Sequence, residues 1–172
     1  MCGLNYVLYD VEPDSHQWLV DLHNDPEVLR NLTHPTPITM DDHLRWWDQV
    51  RNDPKQERFI CYTRDDNHGW KRIGFAKFYD IDPINKNCVL GADIVRHERG
   101  KGHAKHMWTC MLEYCFNVLG MHRVSLTTAE FNVVGQRVYR NLGFKEEGRQ
   151  VQSLLRDGVY HDQICMYLLK DD

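Results

Sequence analysis

The stretch Ile94-Val95-Arg96-His97-Glu98-Arg99-Gly100-Lys101-Gly102-His103-Ala104 leads from a strand-like segment into the most regular helical pattern of the chain. Two glycines, one residue apart, let the backbone turn tightly and come close to a ligand. The first turn of the following helix leaves main-chain N–H groups without internal acceptors. Those groups and the positive end of the helix dipole form an anion cradle, and Arg99 and Lys101 add cations beside it. A pyrophosphate is the guest such a cradle suits. The run is not GxxxxGK[ST], and it is not G-x-G-x-x-G, because residue 105 is Lys105. Taken alone, it also reads as a glycine turn that merely caps a helix.

Working outward, residues 102–119 carry Ala104, Met107, Trp108, Met111, Leu112, Cys115, Phe116 and Leu119 at helical spacing, with Gly120 as the C′ residue. Cys88 to Val95 reads as the strand before the loop, and Arg123 to Thr128 as the strand after the helix. Asn132 caps a helix ending at Leu142, with Gly143 at C′ and Phe144 folding back on it. The remainder, Phe144 to Leu169, reads as two strands joined near Asp157-Gly158. Toward the N-terminus, Asn5 to Val11 alternates as a first strand. Ser15 to Asn31 reads as a helix that Pro26 kinks or splits. Thr39 caps a helix from Met40 to Val50. Arg58 to Arg64 and Arg72 to Tyr79 read as an antiparallel pair joined by the turn at residues 65–69. The expected fold is mixed α/β, of the α+β kind. One domain over residues 1–172 holds a mostly antiparallel sheet of six or seven strands, one parallel strand–helix–strand crossover and four main helices.

Composition narrows the function. The chain has 172 residues, 42% hydrophobic and 27% charged, with a formal net charge of −4. That balance argues against a nucleic-acid binder. No apolar run nears the roughly 18 residues needed to span a bilayer. The first ten residues lack the pattern of a secretory signal. Six cysteines without a disulfide-framework spacing fit reduced, buried thiols, so a cytoplasmic setting is expected. His97, His103 and His106 invite a zinc reading, but no HExxH or cysteine pair completes a site, and no metal is expected.

Arg99-x-x-Gly102-x-Ala104 resembles the Q/R-x-x-G-x-G/A acetyl-CoA loop of the GNAT superfamily of N-acetyltransferases, and sits where that family has it. Asn132 and Tyr139-Arg140-Asn141-Leu142-Gly143-Phe144 are similar to its second motif. The tail, with Leu155-Arg156-Asp157-Gly158-Val159-Tyr160 and Met166-Tyr167-Leu168-Leu169, is similar to the RimJ/RimL-like branch. That branch acts on spermidine, on nucleotide-linked amino sugars and on protein N-termini.

The resemblance implies that the fourth and fifth strands splay and that acetyl-CoA lies between them, its pantetheine arm on an edge running from Ala92 to Arg96. It assigns Ile94, Val95, Arg96, Arg99, Gly100, Lys101, Gly102, His103, Ala104, Asn132 and Tyr139 to the donor. Tyr139 is the expected acid for the leaving thiolate. The family's strand glutamates are missing: Val89 and Thr127 stand at those positions, which leaves Asp93 as base or substrate ligand, or a water relay. The acceptor pocket is expected from the N-terminal helices, residues 33–40 and the last two strands, with Trp46, Trp47, Asp41 and Asp42 as candidate contacts. Nucleotide-linked amino sugars and polyamines are the favoured small-molecule amines. Protein N-termini, and a non-catalytic acyl-CoA-binding module, are the alternatives. A homodimer stays open.

Overall fold

The computed structural model describes residues 5–65 and 69–171, so the central part of the turn expected at residues 65–69 lies outside the described residues. The strands are β1 (Tyr6–Asp10), β2 (Glu57–Arg64), β3 (Trp70–Asp82), β4 (Asn87–Ile94), β5 (Arg123–Ala129), β6 (Lys145–Arg156) and β7 (Val159–Leu169). The helices are α1 (His16–His23), α2 (Pro26–Asn31), α3 (Met40–Val50), α4 (His103–Glu113) and α5 (Val133–Asn141). One seven-stranded sheet runs in the order β1-β2-β3-β4-β5-β7-β6. Among the described residues, no helix is long and apolar enough to cross a membrane.

Local chemistry explains the helix boundaries. Pro26 splits the expected first helix because it cannot donate within it. It stands instead at the start of α2, where the Asp25 side chain accepts from the N–H of Glu27 and Val28 at 3.0 and 3.2 Å. Thr39 and Asp42 cap α3 reciprocally, each side chain accepting from the other's main-chain N–H. Gly143 takes φ 95°, and the Phe144 N–H reaches back to the Tyr139 carbonyl at 3.0 Å, closing α5. The helix expected as far as Leu119 stops being α at Glu113. A π turn, Tyr114–Val118, completes it, and Tyr114 there packs edge-on against Phe59 and Phe78 at 5.2 and 5.4 Å.

The pairing of β4 with β5 is the parallel one, and it is short. It joins Asn87, Cys88 and Val89 to Arg123, Val124 and Ser125, then stops. Beyond that point β4 stays on β3 as far as Ile94 opposite Gly74, while β5 follows β7 to Ala129. The two strands therefore part. Among the described residues, no strand pairs with residues 90–94 of β4 on the side facing β5. The larger core lies between the sheet and α4, around Phe78, Leu90, Met107, Trp108 and Met111. A second core joins Leu19 and Leu22 of α1, Val28 of α2, Phe75 of β3 and Val95. The two cores lie against opposite faces of β3, since Phe75 and Phe78 fall on opposite sides of the strand.

Candidate functional site

At the C-terminal end of β4 the chain makes a short 3-10 turn, Arg96–Glu98, and then the glycine loop. Gly100 and Gly102 both adopt left-handed backbone, φ 77° and 86°. A methyl group at either would meet nothing within 4 Å, so the space above the loop is open. The backbone conformation, not crowding, calls for glycine here. Gly102 is the N-cap of α4, and no side chain caps the helix. Among the described residues, the first-turn amides of this eleven-residue helix thus receive no side-chain cap. This is the helix start that the sequence reading expects to serve as an anion cradle.

The charges expected to reinforce it are used differently. Arg99 bonds the Ile94 carbonyl through Nε at 2.9 Å and pairs with Asp25 and Glu27 in the first turn of α2. It fastens the loop to α2. Lys101, Lys71 and His103 converge on Glu98, whose side chain is only 5% exposed, at 3.2, 3.1 and 3.0 Å. The other His103 ring nitrogen meets the Tyr6 hydroxyl at 2.9 Å. Arg99 and Lys101 are thus both engaged with carboxylates of the protein itself.

The edge expected for the cofactor, Ala92 to Arg96, runs past the end of the strand. β4 ends at Ile94, so Val95 and Arg96 lie past the strand. Val95 is buried in the second core, with its N–H on the Ile73 carbonyl at 3.0 Å, and the Arg96 side chain is 70% exposed beside Glu27. The open edge is residues 90–94, closer to the sheet centre than the expected span from Ala92 to Arg96. Asn132 caps α5 by accepting from the Gly135 N–H at 3.1 Å and donates to Thr128 Oγ1 at 3.0 Å.

Burial opposes ionisation of the Glu98 carboxyl, but its bonds to Lys71 and Lys101 prevail and hold it below its ordinary value of 4.5. A depressed carboxylate stabilises the fold above the unfolded-state value and loses that contribution as pH falls through the folded one. Glu98→Gln is therefore expected to lower Tm by about 3 °C at pH 7. Thermal scans from pH 7 downward should show the gap to wild type closing below about pH 4.5. A gap that is independent of pH would assign Glu98 a packing role.

On the opposite side of β4 from α4 lies a cavity of about 490 Å³, walled by α1, residues 32–38, α3 and the β2–β4 face of the sheet. Asp93, Lys77, Tyr79, Arg58 and Trp46 line it. Lys77 Nζ bonds Asp93 Oδ2 at 2.6 Å. Burial would push the Lys77 ammonium down, and the Asp93 carboxylate more than offsets this, so it stays above its ordinary value. Tyr79 lies over Gly91, where a Cβ would come 2.1 Å from its hydroxyl, which is why that position is glycine.

Tyr139 sits on α5 against Trp108 and Phe144, edge-on at 4.9 and 6.1 Å. Burial pushes its phenol well above the ordinary value, and the nearby Asp93 carboxylate and Tyr79 phenol push the same way. Such a phenol keeps its proton at neutral pH and can donate it. Asp93 and Tyr139, far apart in sequence, are thus brought within electrostatic reach beside the strand gap.

Of the expected acceptor contacts, Trp46 and Asp42 line the cavity. Trp47 turns away, edge-on to His16 at 5.6 Å, and Asp41 is exposed and off the lining. Helical spacing explains this, since adjacent residues point about 100° apart. The Asp42 carboxylate is already bound to Thr39 and Arg45. The last two strands do not line the cavity. Arg156 at the end of β6 instead braces its wall, donating to the Arg30 and Leu32 carbonyls. Arg58, Lys77 and Tyr79 were missed from sequence. The signal for Lys77 and Tyr79 was their alternation with Phe75 along one face of β3, while Arg58 comes from the neighbouring β2.

A family model described as acetyltransferase (GNAT) domain matches residues 7–145. A prophage-derived uncharacterized N-acetyltransferase, YokL, of Bacillus subtilis is 28% identical over 99% of this chain and 93% of its own length. Spermidine N(1)-acetyltransferase of Vibrio cholerae is 24% identical over 90% of this chain and 87% of its own. The crystal structure of spermidine N-acetyltransferase from Vibrio cholerae in complex with CoA and spermine shares the fold. Its TM-score is 0.88 at 24% identity, covering 98% of each chain. Because the family model spans the first strand through the cradle and on past α5, the chain belongs to the GNAT family and is an N-acetyltransferase that uses acetyl-CoA.

Proposed function

We propose that this enzyme acetylates the primary amine of a small molecule bound in the cavity beside Asp93. The carrying observation is the adjacency of two openings. The parted β4–β5 edge and the uncapped α4 terminus lie at one end of β4, and the cavity opens on Asp93 of the same strand. Acetyl-CoA supplies an activated acyl thioester. In this reading the main-chain amides of residues 100–104 hold its diphosphate, and the edge at residues 90–94 receives its pantetheine arm as an added strand would be received. Asp93, paired with Lys77, accepts an N–H bond from the amine and aligns it. A paired carboxylate is a poor base for an ammonium, so the proton leaves through cavity water. Tyr139 donates its hydroxyl proton to the departing thiolate.

Two acceptor classes remain. The spermidine acetyltransferases among the relatives support a polyamine. The lining by Arg58, Lys77, Trp46 and Tyr79 supports an amine that carries an anionic group, such as a nucleotide-linked amino sugar. A thiol-release assay over small amines and peptides tests the proposal: at least one small amine should be turned over faster than any peptide N-terminus. Preference for peptides, or bound acetyl-CoA with no release to any amine, would contradict it.

The donor half has its own test. Gly102→Val forces a β-branched residue into left-handed backbone, at a cost of about 1–3 kcal/mol. We expect acetyl-CoA Kd to rise at least ~10-fold by calorimetry, since the first turn of α4 must distort. An unchanged Kd would remove the loop from the donor site.

A further inference from the structure

We infer that Arg58 is a specificity residue that selects acceptors bearing an anionic oxygen group next to the reactive amine; this rests on reading the cavity as the acceptor site. Arg58 and Lys77 are directly opposite in the β2–β3 register, and both line the cavity. Like charges so placed repel. Lys77 is answered by Asp93, whereas among the described residues Arg58 has no such partner. Its three hydrogen bonds go to neutral oxygens: the carbonyls of Phe78 and Glu57 at 2.5 and 2.9 Å, and Gln56 Oε1 at 2.5 Å. A guanidinium has five N–H donors. Nε is shielded from water and has no acceptor, and the residue as a whole is 9% exposed.

The surrounding carboxylates do not supply the missing partner. Asp42 is held by Thr39 and Arg45. Asp53 acts on Arg58 only through space, its oxygens accepting from Gln56 and Lys55. Glu57 turns to the other face, toward Tyr114. The rings of Tyr79 and Trp46, at 5.2 and 5.9 Å from the guanidinium carbon, flank it on the cavity side. The cavity wall thus holds one buried cation more than its anions neutralise. Such a charge is costly to bury unpaired, and a carboxylate or phosphate is the group a guanidinium fork matches. A linear polycation would meet repulsion at this wall.

Matched acceptors test the inference. One pair is an α-amino acid and its uncharged amide, and the other an amino-sugar phosphate and the free amino sugar, with spermidine alongside. In one pair the anionic member should have a kcat/KM at least ~30-fold higher, mostly through KM, the size of a charge-assisted hydrogen bond. The pair that discriminates names the source of the charge. Arg58→Gln should shrink that preference to within ~3-fold, and Arg58→Lys should restore part of it, with calorimetric acetyl-CoA binding reporting an intact fold. The wild-type comparison decides even where a variant fails to fold. Equal turnover within both pairs, or spermidine exceeding every anionic acceptor, overturns the inference while leaving the acetyltransferase reading intact. Turnover of none of these amines with acetyl-CoA bound overturns both.

Discussion

Tyr139→Phe is expected to lower kcat by about 100-fold, the usual scale for removing a positioned general acid. Acetyl-CoA affinity should change less than ~2-fold, because the ring keeps its contacts and only the hydroxyl is lost. The ring is held edge-on by Trp108 and Phe144, and phenylalanine fits the same contacts. Burial holds the wild-type phenol above its ordinary value, with Asp93 adding to the effect. Protonated Tyr139 is thus the form present across the neutral range. Single-turnover measurement of thiol release isolates the chemical step. A kcat within ~3-fold of wild type would make Tyr139 a packing residue and move the acid elsewhere.

Asp93→Asn should be the second large effect, and it acts on two levels. Lys77 and Asp93 are only 17% and 18% exposed, and the 2.6 Å pair between them is what keeps Lys77 charged. Removing the carboxylate leaves a buried ammonium beside Arg58, at a cost of about 3–5 kcal/mol. Lys77 then titrates below its present value, and stability falls most at pH values where it must still carry charge. Turnover should fall about 100-fold through loss of amine alignment. The pH profile separates the roles. If Asp93 aligns the amine and the proton leaves by water, the kcat/KM profile of the variant keeps its alkaline-rising shape at lower amplitude. Loss of that rising limb would make Asp93 the base itself.

How much of this was legible in the sequence follows from where the signals are local. Capping and turn chemistry are local, so Thr39, Asn132, Gly143 and the Asp157-Gly158 hairpin gave element ends that the structure reproduces, the hairpin with φ of 51° and 78° at its two central residues. The cradle is also local, a matter of two glycines and a helix start. Ion pairing is not local. Nothing near Arg99 in sequence shows that its guanidinium is taken by Asp25 and Glu27, or that Lys71 is drawn to Glu98. The same holds for Asp93: strand alternation put it on one face with Val89, but its partner Lys77 comes from the neighbouring strand. The π turn at Tyr114–Val118 kept the apolar spacing of an α-helix and so could not be separated from one by periodicity. Trp47 lies off the cavity lining because a helix sends two adjacent tryptophans to different neighbours.

We propose that main-chain amides at the start of α4 hold the diphosphate of coenzyme A. A crystal structure of the enzyme soaked with coenzyme A tests it most directly. We expect the diphosphate within hydrogen-bond distance of the N–H groups of residues 100–104 and the pantetheine arm along residues 90–94. Coenzyme A bound elsewhere, with that helix start covered by neighbouring side chains, would contradict it.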